Sequence, residues 1–142
     1  MEELNLPADL KSLKRFTDFI EEQTRTFGLK VTRIMEISLA LEEALVNIFV
    51  HAYPEGEGWV QVRCGPRGDD RLVIEIRDGG IPFNSLVRPD PDTTEGIDER
   101  TEGGLGIFLM KKMIPVIEYR RENDMNVLTF LITKEQAEDE KE

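Results

Sequence analysis

With one cysteine, Cys64, and one histidine, His51, the sequence cannot close an internal disulfide. A His/Cys zinc cluster or a Ser-His-Asp hydrolase could draw on one imidazole at most. Basic residues are also short, with 18 Lys and Arg against 29 Asp and Glu, a net charge of -11. That balance removes the basic footprint a phosphate-backbone binder needs, so no direct nucleic-acid partner is expected, although a small phosphorylated ligand is not excluded. No long apolar run is present: Ile37 to Val50 is interrupted by Ser38, Glu42, Glu43 and Asn47 and falls short of the roughly 20 residues that cross a bilayer. The start, Met1-Glu2-Glu3, lacks the basic opening and apolar stretch of a secretory signal. The expectation is a cytoplasmic protein without a membrane partner. Two phosphate-binding patterns are missing as well, Gly-x-x-x-x-Gly-Lys-Ser/Thr and Gly-x-Gly-x-x-Gly, which disfavours the common alternative nucleotide folds.

What remains is the composition of a globule, 39% hydrophobic and 33% charged over 142 residues. A chain of this length makes about one domain and buries roughly 68 to 70% of its unfolded surface. We place that domain at residues 1–133. The remaining residues, 134–142, carry five acids and two bases and are expected to fray into solvent.

Leu10, Leu13, Phe16, Phe19, Ile20 and Phe27 recur at helical spacing, so the pattern predicts an amphipathic helix over residues 6–27, with Pro7 in its first turn and Gly28 as its stop. A second helix is expected from about Lys30 or Thr32 to Ala52, halted by Tyr53-Pro54-Glu55-Gly56. Between Ile37 and Val50 it is apolar nearly all round, which predicts burial. Strand-like alternation over 59–64 and 72–77, around the turn composition of 65–70, predicts a hairpin, and 116–121 with 127–133 around Glu122-Asn123-Asp124 predicts another. Between the hairpins lie an irregular stretch over 81–102 and a short helix from about Leu105 to Ile114, ended by Pro115. Early helices followed by hairpins imply an α+β, two-layer sandwich, with helices over one face of a mixed or antiparallel sheet.

Three places could carry chemistry. Glu43 and Asn47 lie four apart on one side of the second helix, with Glu36, Ala40 and His51 along the same stripe. A carboxylate and an amide there need partners: solvent or neighbouring backbone on one reading, a ligand or metal on the other. Asp78 ends the strand Leu72-Val73-Ile74-Glu75-Ile76-Arg77-Asp78 and by alternation shares a face with Leu72, Ile74 and Ile76. Gly79-Gly80 follow it, which reads either as a turn or as backbone that lets a planar ligand with a donor amine reach the carboxylate. Gly103-Gly104-Leu105-Gly106 opens the apolar run Ile107-Phe108-Leu109-Met110. Glycine amides and a positive helix end would converge there on a phosphate, or the segment is an ordinary helix entry.

Taken in order, Glu43-Ala44-Leu45-Val46-Asn47, Asp78-Gly79-Gly80-Ile81-Pro82-Phe83-Asn84 and Gly103-Gly104-Leu105-Gly106-Ile107 resemble the three nucleotide boxes of the Bergerat-fold ATPases. The Asp-x-Gly-x-Pro-Phe form and the run Gly-Gly-Leu-Gly-Ile-Phe-Leu-Met look most like bacterial anti-sigma-factor serine/threonine kinases, over about residues 5–133. The resemblance implies ATP and magnesium as cofactors, with Glu43 as general base and Asn47 as magnesium ligand. It implies that Asp78 accepts from the adenine amine, that Gly80 lets the base lie close, and that Gly104, Leu105 and Gly106 approach the phosphates. It makes 88–102 a lid, in which Arg100 is assigned to the γ-phosphate. Its implied partners are a STAS-type anti-sigma-factor antagonist, phosphorylated on Ser or Thr, and a sigma factor, with a homodimer as the assembly. A nucleotide-gated adaptor that holds ATP and transfers nothing is the competing expectation.

Overall fold

The computed structural model describes residues 1–87, 107–108 and 110–134. Its described strands form one five-stranded sheet in the order β1-β2-β3-β5-β4, every neighbouring pair antiparallel. The strands are β1 (Glu2–Pro7), β2 (Trp59–Arg67), β3 (Arg71–Asp78), β4 (Val116–Glu122) and β5 (Met125–Thr133). Period-two alternation sends Val60, Val62 and Cys64 of β2, Leu72, Ile74 and Ile76 of β3, and Leu128, Phe130 and Ile132 of β5 into one core. The opposite face is charged: Glu75 meets Arg77 at 2.8 Å, Arg63 at 3.5 Å and Arg120 at 3.7 Å. Among the described residues the helices cover only the apolar face, and the two-layer α+β sandwich is as the sequence implied.

That layer comprises α1 (Leu13–Phe27), α2 (Val31–His51) and the helical residues 107, 108 and 110–113. Helix α1 buries Phe16, Ile20 and Thr24 at four-residue spacing, and the Thr24 hydroxyl donates back to the Ile20 carbonyl at 2.8 Å. It ends where Gly28 enters the left-handed region at φ 100°, its N–H reaching the carbonyls of Thr24 and Arg25. Helix α2 packs on α1, with the Phe49 ring 6.4 Å from that of Phe16.

Three expectations need correction. The first helix does not start at residue 6: Glu2–Pro7 is an edge strand, followed by a 3-10 turn at Leu10–Ser12 that Asp9 caps. Leu4 and Leu6 pair with Val62 and Val60, and this long-range ladder outweighs the local helical spacing; Pro7, which has no N–H to give, closes the strand. Strand β2 also runs on to Arg67, so Pro66 lies in the strand; the β1–β2 ladder starts at Glu2 opposite Cys64, so Pro66 lies beyond it and its missing N–H breaks no bond to β1. Finally, α2 is not buried all round, since Leu39 and Val50 are more than half exposed. The β4–β5 hairpin is as expected and turns through Asn123 and Asp124 at φ 51° and 62°, the left-handed pair that a two-residue turn requires.

Candidate nucleotide site

Strand parity carries Asp78 inward at the end of β3, where it is 1% exposed. Its Oδ1 accepts from the Gly80 N–H and from the Asn126 side-chain amide, each at 2.9 Å. Its Oδ2 is buried and has no hydrogen-bond partner among the described residues. Burial pushes the Asp78 carboxyl above its ordinary value, opposed by the Asn126 and Gly80 hydrogen bonds and the positive charge of Arg121. A buried acceptor left open in this way fits a ligand that brings a donor, such as the exocyclic amine of adenine.

The loop after Asp78 is sewn to the end of α2. The Ile81 N–H donates to the Ala52 carbonyl at 2.9 Å. A Cβ on Gly80 would stand 2.1 Å from the Ala52 oxygen, so the glycine is demanded first by this approach of loop to helix. Tyr53, just beyond α2, donates its hydroxyl to the Trp59 carbonyl at 2.6 Å and accepts the Gly79 N–H at 2.7 Å. His51 and Phe83 meet with ring centroids 5.2 Å apart and planes tilted by 35°.

Because Ala52 marks where α2 meets the Asp78 loop, the helix rise of 1.5 Å per residue sets the other residues along its axis. Asn47 sits roughly 7 Å back from that junction and Glu43 roughly 13 Å back. Asn47 is buried and Glu43 half-buried, on a stripe that also carries buried Ala40. The Asp78 loop, the amide and the carboxylate thus follow one another along one helix, the order that a bound nucleotide's base and phosphates would require. No group of three or more His, Cys, Asp or Glu among the described residues could hold a metal. Asn47 and Glu43 suit Mg²⁺ only together with substrate phosphates and water, which is how that ion is commonly bound.

At the far end of α2, buried Arg33 donates to the Met113 carbonyl and pairs with Glu36 at 3.2 Å. This ties α2 to the helical residues after the glycine box, whose Ile107 and Met110 are buried. Arg100, Gly104, Leu105 and Gly106, with residues 88–102 and the tail 135–142, lie outside the described residues.

The sequence reading missed Asn126, Arg121 and Tyr119, which surround the Asp78 loop from the β4–β5 hairpin. The available signal was Asn126 itself, a polar residue on the inward parity of Leu128, Phe130 and Ile132.

The family model described as "Histidine kinase-like ATPase domain" matches residues 6–132. The chain belongs to the histidine kinase-like ATPase domain family. A serine-protein kinase RsbW from Bacillus cereus is 29% identical over 143 residues, covering 97% of this chain and 89% of that protein. An RsbW from another Bacillus cereus strain is 32% identical over 119 residues, covering 80% and 73% respectively. The resemblance to anti-sigma-factor serine kinases is thereby borne out as kinship with RsbW. The fold is shared with the histidine kinase domain of a blue-light activated histidine kinase from Erythrobacter litoralis, at TM-score 0.60 and 19% identity, over 91% of this chain and 62% of that one. No helix among the described residues is long and apolar enough to cross a membrane.

Proposed function

We propose that the protein is an ATP- and Mg²⁺-dependent protein serine/threonine kinase that phosphorylates an anti-sigma-factor antagonist and regulates a sigma factor by exchanging partners. The observation that carries this reading is the buried, open Oδ2 of Asp78 at the foot of a helix that bears Asn47 and then Glu43. RsbW relatives named serine-protein kinases over most of the chain support the chemistry. In this reading Asp78 Oδ2 accepts the adenine amine and so fixes the base. Asn47 would hold the magnesium that accompanies the phosphates, an ion that would neutralise part of their charge. Glu43 takes the proton from the seryl or threonyl hydroxyl of the partner as that oxygen bonds to the γ-phosphorus, the bond from γ-phosphorus to the bridging oxygen breaks and ADP leaves. Gly104, Leu105, Gly106 and Arg100 belong to the phosphate side of the same reading. A cytoplasmic setting and a homodimer are part of the proposal.

Incubation with γ-labelled ATP and a STAS-type antagonist is the test. Transfer of label to a Ser or Thr of the antagonist, lost in Glu43→Ala, supports the kinase. ATP binding with no transfer to any cognate antagonist rejects it in favour of a nucleotide-gated adaptor.

A further inference from the structure

Asn126 accepts three hydrogen bonds and donates two, all within the loop and hairpin around Asp78. Its Oδ1 receives the Phe83 N–H at 3.0 Å, the Tyr119 hydroxyl at 2.6 Å and Arg121 Nη1 at 3.2 Å. Its Nδ2 donates to Asp78 Oδ1 at 2.9 Å and to the Ile81 carbonyl at 2.8 Å. Arg121 Nη1 also reaches the Gly80 carbonyl at 2.9 Å. A flipped amide would set N–H donors against the N–H groups of Phe83 and Arg121, so this network admits one orientation only. Asn126 is 3% exposed, and a misplaced polar group at that depth is costly.

The consequence falls on Asp78. With the Gly80 N–H and Asn126 both on Oδ1, the carboxylate cannot turn without losing two hydrogen bonds, and Oδ2 is its one remaining acceptor face. We infer that Asn126, locked by Tyr119 and Arg121, is the positioning residue that aims the Asp78 carboxylate and thereby makes the site select a purine with an amine at C6 over one with a carbonyl there. The inference rests on the nucleotide reading of the site and assigns its base selectivity to the β4–β5 hairpin.

The test is calorimetric titration of ATP and of inosine triphosphate, both with Mg²⁺ at pH 8, into the wild type, Asp78→Asn and Asn126→Asp. Wild-type protein is expected to prefer ATP by at least about tenfold, on the scale of one well-placed hydrogen bond in a dry site. Asn126→Asp replaces the donor to Asp78 by a second acceptor of the same shape, and the expected result is an ATP affinity about tenfold lower with inosine triphosphate little changed, so that the preference collapses. Equal losses for both nucleotides, or no loss, would show that Asn126 only supports the fold and would overturn the inference. Absence of wild-type ATP binding, or full retention in Asp78→Asn, would instead overturn the nucleotide reading, and the inference with it. Where Asn126→Asp does not fold, the pair Tyr119→Phe and Arg121→Met decides: it leaves the amide held at Oδ1 by the Phe83 N–H alone, and an unchanged ATP preference overturns the inference.

Discussion

Asp78 at the end of β3 and Asn126 on β5, 48 residues apart in sequence, are joined by a 2.9 Å hydrogen bond at the floor of the sandwich, where both are almost fully buried. The bond uses one carboxyl oxygen and leaves the other open among the described residues, and burial makes the charged form of Asp78 costly in the folded protein.

That cost is measurable. The folded-state pKa of Asp78 is raised, chiefly by burial, so its contribution to stability is greatest below the ordinary carboxylate value and is lost as pH rises through the folded value. Asp78→Asn removes the charge and keeps the oxygen that accepts from Gly80 and Asn126. Without ligand, the variant should melt higher than wild type at pH 8, and the gap should close as pH falls. Differential scanning calorimetry across pH 4–8 checks this, and a gap that widens on acidification contradicts it.

Gly80→Ala should destabilise by about 1–3 kcal/mol, the usual cost of forcing a methyl into packed structure. The added Cβ meets the Ala52 carbonyl at 2.1 Å, and that oxygen belongs to the end of α2 and is held by the Ile81 N–H. Urea unfolding measures the loss. Gly56→Ala is the contrast, because a Cβ there meets nothing within 4 Å and the penalty is only that of φ 90°.

Glu43 and Asn47 share a stripe but should separate by assay. Glu43→Gln is expected to lower phosphoryl transfer by about 10²–10⁴-fold, the range for loss of a general base, with ATP affinity within a few-fold of wild type. Asn47→Ala should weaken ATP chiefly in the presence of Mg²⁺. Binding by titration and single-turnover transfer, run on the same preparations, distinguish the two.

Cys64 should be inert in the native state. It lies on the core face of β2 at 1% exposure, and burial pushes its thiol up to about 12, so almost no thiolate exists at pH 8. Iodoacetamide should label it only after denaturant is added. Rapid labelling of folded protein would place β2 differently.

How much of this was written in the sequence varies with the range of the forces involved. Asp78 was legible because a strand of alternating Leu72, Ile74 and Ile76 fixes the parity of its last residue. Helix α2 was legible from its length and from the Tyr53-Pro54-Glu55-Gly56 stop. Its exposed Leu39 and Val50 were not, because periodicity marks apolar positions and says nothing of which neighbours exist to cover them. Strand β1 has only Leu4 and Leu6 to signal it, and its stability comes from a ladder with β2 formed some 55 residues away. Asn126 was hidden for the same reason: an inward amide on a strand declares a need for partners, and these lie on β3, on the following loop and on β4.

Calorimetric titration of ATP with Mg²⁺ tests whether Asp78, Asn47 and the loop over residues 79–87 make the proposed ATP site. Saturable one-to-one binding by the wild type is expected, weakened in both Asp78→Asn and Asn47→Ala while each variant keeps a cooperative melt. No heat of binding in the wild type, or wild-type affinity in both variants, would contradict it.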